Sequence, residues 1–101
     1  MSANDNTEIM GILPPHVSRA LFNIGWRYAY DLSLLTKAAR PKPTADEAMA
    51  WIVDARRQMN VRAAQCLQNF SGGLLDADFR WLAERLATEG FEAYIKGGAN
   101  A

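Results

Sequence analysis

The chain contains one histidine, His16, and one cysteine, Cys66, and these are its candidates for nucleophilic chemistry. A histidine beside a cysteine can activate the thiolate that attacks a substrate. Cys66, however, falls on an apolar stripe at helical spacing, where cysteine usually behaves as a small hydrophobic residue. We therefore interpret Cys66 as a packing residue and His16 as an exposed or capping residue. A functional thiol is the alternative.

Metal binding and acid–base catalysis have few candidate residues. Zinc needs about three or four nitrogen, sulfur or oxygen ligands at defined spacing, and metal centres in helical bundles use inward Glu-x-x-His pairs. The sequence has no such pair and only one histidine and one cysteine. We therefore predict no metal, no cofactor and no enzymatic activity. Asp31 is the clearest candidate carboxylate, and we expect it to form an ion pair with Arg56 or Arg62 of a second helix.

Apolar residues between positions 17 and 39 recur at intervals of three and four, which is the period of a helix. Pro14-Pro15 suits the first turn, where the missing N–H has no partner to lose. Gly25 inside this helix costs about 1 kcal/mol relative to alanine, which indicates a close contact with another helix. The stripe consists of Val17, Leu21, Ile24, Tyr28, Leu32, Leu35 and Ala39.

A second helix begins at a capping box formed by Thr44 and Glu47. In this motif the threonine oxygen accepts a hydrogen bond from the backbone N–H of the glutamate, and the glutamate side chain reaches back. The helix then runs to the glycine pair that follows Ser71, which is a suitable stop. Its apolar stripe consists of Ala48, Ile52, Ala55, Met59, Ala63, Cys66 and Phe70.

A third helix is predicted from Asp76, a suitable N-cap, to Glu89, with Gly90 as its C-cap. A short fourth helix is predicted from Phe91 to Lys96. The link between the first two helices has four residues, so these helices should form an antiparallel hairpin. The sequence therefore predicts an all-α fold, namely a small antiparallel helical bundle of three long helices plus a short C-terminal helix.

A chain of 101 residues, half of them hydrophobic, corresponds to one domain. We assign residues 13–97 to the helical bundle and residues 1–12 to a flexible N-terminal tail. The net charge of zero does not favour nucleic-acid binding. No apolar run approaches the roughly 20 residues that span a bilayer, so we expect no membrane partner. With no signal-peptide pattern at the start, we expect a cytoplasmic protein.

Second apolar rows on the first two helices are the strongest functional signal. A helix that packs against one neighbour needs one apolar stripe, and a second stripe needs a cover of its own. Either the third helix covers the aromatic row, with Trp81 as its natural partner, or another molecule does. The rows are Phe22, Trp26 and Tyr30 on the first helix, and Ala50, Val53, Val61 and Ala64, interrupted by Arg57, on the second.

We therefore predict a non-enzymatic helical protein–protein interaction module, a small regulatory, inhibitory or accessory protein. It would dock a protein partner or a second copy of itself through apolar, aromatic helix faces, because Trp, Tyr and Arg are enriched at interface hot spots. The alternative is a bundle that binds a small molecule in an apolar pocket near Cys66. The predicted partner-binding residues are Phe22, Trp26, Tyr30, Val53, Arg57, Val61 and Trp81.

Overall fold

The computed structural model describes residues 13–71 and 77–97 of the chain. This part of the chain contains no strand, which confirms the all-α prediction. Each helix contacts the other two, and the most extensive contact joins the first helix to the third. The helices are α1 (Pro15–Ala38), α2 (Ala45–Ser71) and α3 (Ala77–Gly97).

Several predictions concern residues that the structure does not describe. The proposed tail at residues 1–12, the glycine stop at residues 72–73 and the N-cap Asp76 lie outside the described residues. The described part of the fold therefore consists of the three helices and the connection between α1 and α2.

The ends of α1 follow from its flanking residues. The helix begins at Pro15, as predicted, and ends at Ala38. Ala39 then adopts extended backbone, and Nη1 of Arg40 donates hydrogen bonds to the carbonyl oxygens of Lys37 (2.9 Å) and Ala39 (2.7 Å). This guanidinium satisfies carbonyl groups that have no partner within the helix.

The capping box at the start of α2 is confirmed. The backbone N–H of Thr44 donates to Oε1 of Glu47 at 2.9 Å, and the backbone N–H of Glu47 donates to Oγ1 of Thr44 at 3.2 Å. The bond from the Thr44 backbone, and secondarily one with its side chain, lowers the pKa of Glu47. The charged carboxylate therefore stabilises the folded start of α2.

The core lies along the first half of α1, and its buried positions differ in part from the predicted stripe. The buried residues of α1 are spaced by four, which places Gly25 and Ala29 in the core, whereas Leu35 is 57% exposed. Tyr94 of α3 contacts Tyr30 only three residues before α3 ends, so the last two turns of α1 have little of α3 to pack against. The buried apolar residues are Leu13, Val17, Leu21, Ala29, Met59, Ala63, Leu67, Leu82, Ala83, Leu86, Ala87 and Phe91.

Two glycines bring the backbones of α1 and α3 into contact. A Cβ atom on Gly25 would overlap the carbonyl oxygen of Ala87, and a Cβ atom on Gly90 would overlap the carbonyl oxygen of Phe22. The close contact predicted at Gly25 is therefore confirmed. The predicted C-cap at Gly90 is wrong, because α3 continues through it to Gly97, and no separate short C-terminal helix follows in the described chain. Gly90 is small because a neighbouring helix lies against it.

Candidate functional site

The aromatic row of α1 is covered by a residue of its own chain. The rings of Trp26 and Tyr30 stack with centroids 5.5 Å apart. The ring of Tyr94 meets both of them edge-on, at 5.1 Å from Trp26 and 5.9 Å from Tyr30. Edge-to-face and offset-stacked contacts at these distances are favourable for aromatic rings. Much of this row therefore packs within the molecule.

Tyr94, rather than Trp81, is the partner of this row, which corrects the prediction from the sequence. Trp81 is 42% exposed and lines a groove between α2 and α3. Tyr94 lies one helical turn after Gly90, on the same side of α3. Because Gly90 contacts the backbone of α1, the ring of Tyr94 lies next to Trp26 and Tyr30. Phe22 is partly buried, and Trp26 keeps 38% of its surface exposed.

The outward side of α2 is apolar and exposed. Val53 is 61% exposed, Val61 is 54% exposed, and Met49, which the sequence analysis did not single out, is 60% exposed. Met49 lies four residues before Val53, so the helical period could have revealed it. We call this surface the α2 face and define it as Met49, Ala50, Val53, Arg57, Val61 and Ala64.

The charge at the centre of the α2 face is balanced within the helix. Nη2 of Arg57 lies 2.7 Å from Oδ1 of Asp54, and Nε2 of Gln58 donates to Oδ2 of the same carboxylate at 2.7 Å. An exposed pair of this kind contributes little to stability. The pair does, however, hold the Arg57 guanidinium beside the apolar side chains, and the charges of Arg57 and Asp54 cancel each other.

An open groove of about 660 Å³ runs beside the α2 face, between α2 and α3. Val53 and Val61 line it from α2, and Arg80 and Glu84 line it from α3. Asn60 also lines this groove, and its Oδ1 atom is buried with no hydrogen-bond partner among the described residues. Buried polar atoms are normally hydrogen-bonded, so this amide is an exception within the described part of the molecule.

The predicted ion pair of Asp31 with the second helix is wrong. Oδ1 of Asp31 lies 3.3 Å from Nε of Arg27, one turn earlier on α1, and both side chains are mostly exposed. Residues four apart on a helix already face each other, so the local partner is available before any cross-helix contact forms. Arg56 instead lines the groove between α2 and α3, with Glu84 on its other side.

His16 and Cys66 lie near the same end of the helix pair formed by α1 and α2, and the contacts described for each are with apolar residues. The ring of His16 contacts Phe70, with centroids 6.2 Å apart, and Cys66 is a partly buried residue packed against the core. Within the described residues, no group of three or more His, Cys, Asp or Glu side chains could hold a metal ion.

A second open groove, of about 570 Å³, lies between α1 and α2. Leu32, Leu35 and Trp51 give it an apolar lining. Cys66 lines neither this groove nor the one beside the α2 face. The pocket near Cys66 that the sequence analysis offered as an alternative therefore has no counterpart in either groove.

Comparison with known proteins adds no family to these observations. The chain matches no protein-family model, and no curated protein or solved structure shows significant similarity to it. In the described part of the chain, none of the helices combines the length and the apolar character needed to cross a bilayer. The observations that bear on function are therefore the surfaces that the described helices leave exposed.

Proposed function

We propose that the protein is a non-enzymatic helical interaction module that binds a protein partner through the α2 face. The observation that carries this proposal is the exposure of Met49, Val53 and Val61, each more than half exposed on one helix. Single exposed apolar residues are common, but several on the same side of one helix, here on both sides of Arg57, form a patch of the kind that marks an interaction surface. Trp81 adds an exposed aromatic side chain, of a type enriched at interface hot spots, in a groove that it shares with Arg56 and Asn60 of α2.

The proposed scaffold is an antiparallel bundle, as the sequence predicts. Two contacts support this arrangement for α1 and α2. The ring of His16 at the start of α1 lies against Phe70 at the end of α2, and Leu35 near the end of α1 shares a groove with Trp51 near the start of α2. In such a bundle α2 has one side against its neighbours and the opposite side free for a partner.

The aromatic row of α1 has a smaller part in the proposed interface than the sequence suggests. Phe22 is partly buried, and Tyr94 packs against Trp26 and Tyr30, so this row is largely covered by its own chain and lies apart from the centre of the proposed interface. Val53, Arg57 and Val61 supply the centre. Enzymatic and small-molecule functions are not proposed, because the described grooves are open and bring together no catalytic group. A cytoplasmic location stays a prediction from the sequence.

Paired substitutions on exposed apolar residues test this proposal. Val61→Glu places a carboxylate on the α2 face, and Leu34→Glu places the same group on α1, where Leu34 is 48% exposed. Both variants should keep the helical circular dichroism spectrum of the wild type. We expect Val61→Glu to weaken association about tenfold or more, because hot-spot losses exceed about 1.4 kcal/mol. Leu34→Glu should leave association unchanged.

The measurement is quantitative co-purification from cell extract, together with the molar mass of the purified protein in solution. A partner, or a second copy, that is lost from Val61→Glu and retained by Leu34→Glu supports the proposal. Equal association of both variants, or no association of the wild type in either measurement, would refute it.

A further inference from the structure

We propose that the partner of the α2 face is the same face of a second copy, packed antiparallel about a two-fold axis through Arg57. This inference rests on the proposed function, because it names the occupant of the same surface. Four residues of the α2 face are arranged symmetrically about Arg57: Val53 and Val61 lie four residues to either side, and Ala50 and Ala64 lie seven residues to either side, while Met49 has Gln65 at its mirror position.

That symmetry matches the geometry of an isologous interface. When two identical helices pack antiparallel, a residue n positions before the two-fold axis lies level with the residue n positions after it in the other copy. Val53 of one copy would therefore meet Val61 of the other, and Ala50 would meet Ala64. The valines supply apolar contact on both sides of the axis, and the alanines let the two backbones approach closely.

Charges along the face are complementary in this arrangement. Asp46 borders the start of the α2 face, beside Met49 and Val53. Arg80 of α3 borders the other end, where it lines the groove together with Gln68. Asp46 and Gln68 are both eleven residues from Arg57, so the two-fold axis brings Asp46 of one copy level with Gln68 of the other, beside the groove that Arg80 lines. Asp46 of each copy would then face the groove of its partner, which Arg80 lines together with Glu84, and we assign the favourable pair to Asp46 and Arg80.

The centre of the interface is also compatible with self-association. Two copies of Arg57 would approach each other at the axis, but each is already paired with Asp54 at 2.7 Å. The four groups sum to zero charge, and each guanidinium can share the carboxylate of the other copy. Like charges are therefore not left unpaired at the axis.

The size of the surface predicts a concentration-dependent dimer rather than a permanent one. The α2 face runs from Met49 to Ala64, about 24 Å along the helix. A strip of this length and about 10 Å width on each copy buries about 480 Å² in total before flanking side chains are counted, which is below the lower end of stable interfaces, about 1,200 Å². We expect a dissociation constant in the micromolar range.

Site-specific cysteines test the position of the axis. In a Cys66→Ala background, Arg57→Cys places one thiol of each copy at the axis, where diamide accepts two hydrogens and a symmetric disulfide forms. Val53→Cys is the matched control, because two copies of this position lie about 12 Å apart along the helices and exceed the roughly 7 Å that a disulfide allows. A mixture of Val53→Cys and Val61→Cys proteins should instead cross-link as a heterodimer.

Charge exchange tests the ends of the interface, with sedimentation equilibrium as the measurement. The dimer would contain two symmetry-related pairs of Asp46 with Arg80. Asp46→Lys or Arg80→Glu alone places like charges together in both pairs, and we expect each variant to raise the dissociation constant about 3- to 10-fold. The double variant restores opposite charges and should regain most of the wild-type affinity. Circular dichroism of each variant identifies any loss of helix.

The outcomes separate this inference from the function on which it rests. A dimer that cross-links at position 57, cross-links in the Val53 and Val61 mixture and recovers on charge exchange supports the inference. A monomer at every concentration, or a dimer that cross-links equally through Val53→Cys alone, overturns it. If the monomeric protein still captures another protein that Val61→Glu loses, the interaction function stands and only the second copy is wrong.

Discussion

Replacing Gly25 by alanine tests the contact on which the packing of α1 against α3 depends. The added Cβ atom would overlap the carbonyl oxygen of Ala87 and would lie 2.9 Å from the backbone nitrogen of Phe91. These are backbone atoms of a helix, so they cannot turn aside as the end of a flexible side chain can. The two helices must separate, and the residues buried around the contact must repack.

The expected loss of stability follows from two opposing terms. Overpacking a tightly packed core costs about 1–3 kcal/mol, and the rigid backbone at Ala87 places Gly25→Ala at the upper end of that range. The higher helix propensity of alanine returns about 1 kcal/mol. We therefore expect a net loss of about 2 kcal/mol, a large part of the roughly 5–10 kcal/mol available to a domain of this size. The melting temperature should fall by about 10 °C.

Thermal unfolding followed by circular dichroism measures this loss, with Gly97→Ala as the control. A Cβ atom on Gly97 meets nothing within 4 Å, so this change should alter stability by no more than about 0.5 kcal/mol. The variant that combines Gly25→Ala with Gly90→Ala should lose less than the sum of the two single losses, because helices that have already separated accommodate the second Cβ atom. An unchanged or raised melting temperature for Gly25→Ala would show that the two backbones do not touch.

Two further predictions concern the capping box and the aromatic cluster. Thr44→Ala should lower the free energy of unfolding by about 1 kcal/mol in urea denaturation at neutral pH, and an unchanged midpoint would contradict the cap. In the folded state the pKa of Glu47 lies below its ordinary value of 4.5. The charged carboxylate therefore stabilises the fold above pH 4.5, and this stabilisation is lost as the pH falls through the lowered pKa. The difference in unfolding free energy between wild type and Glu47→Ala should shrink accordingly at acid pH. Tyr94→Leu should weaken the near-ultraviolet circular dichroism of the Trp26 cluster, whereas Ile95→Leu on the exposed side should not, and equal spectra would refute the ring contacts.

Local signals in the sequence predict the fold well where the chain itself supplies the partner. The capping box is formed by Thr44 and Glu47, three residues apart, so its hydrogen bonds follow from the sequence alone. The start of α1 at Pro15 likewise follows from the geometry of proline. The cost of a glycine inside a helix points to a compensating contact, and Gly25 has one.

The wrong predictions concern residues whose role depends on a helix that is distant in the sequence. A glycine such as Gly90 can either end a helix or allow a neighbouring backbone to approach. The local sequence is the same in both cases, and only the position of α1 shows that Gly90 is a contact residue. Trp81 and Tyr94 are both aromatic residues on α3, and it is Tyr94 whose side chain points towards the aromatic row of α1. The partner of Asp31 could have been found from the sequence, because Arg27 lies one turn away on the same helix.

The residues proposed for the interface follow only in part from the sequence, for a similar reason. The period of α2 places Val53, Arg57 and Val61 on one side, and exposure of that side is what the structure adds. Arg80, which lines the adjoining groove, belongs to another helix, so no spacing within α2 could indicate it. Sequence periodicity finds the faces of a helix, whereas the assembled fold decides which neighbouring residues complete a surface.

The backbone contact at Gly25 and Gly90 has a consequence for how freely the rest of the molecule can vary. It joins main-chain atoms, so its geometry does not depend on any side-chain rotamer. A library that randomises the apolar core should therefore retain the relative position of α1 and α3 as long as both glycines are kept. In a distant relative, enlargement at one of the two positions should come with a shift of the helices that relaxes the other. These paired small residues would then be a better marker of common ancestry than the surrounding apolar side chains.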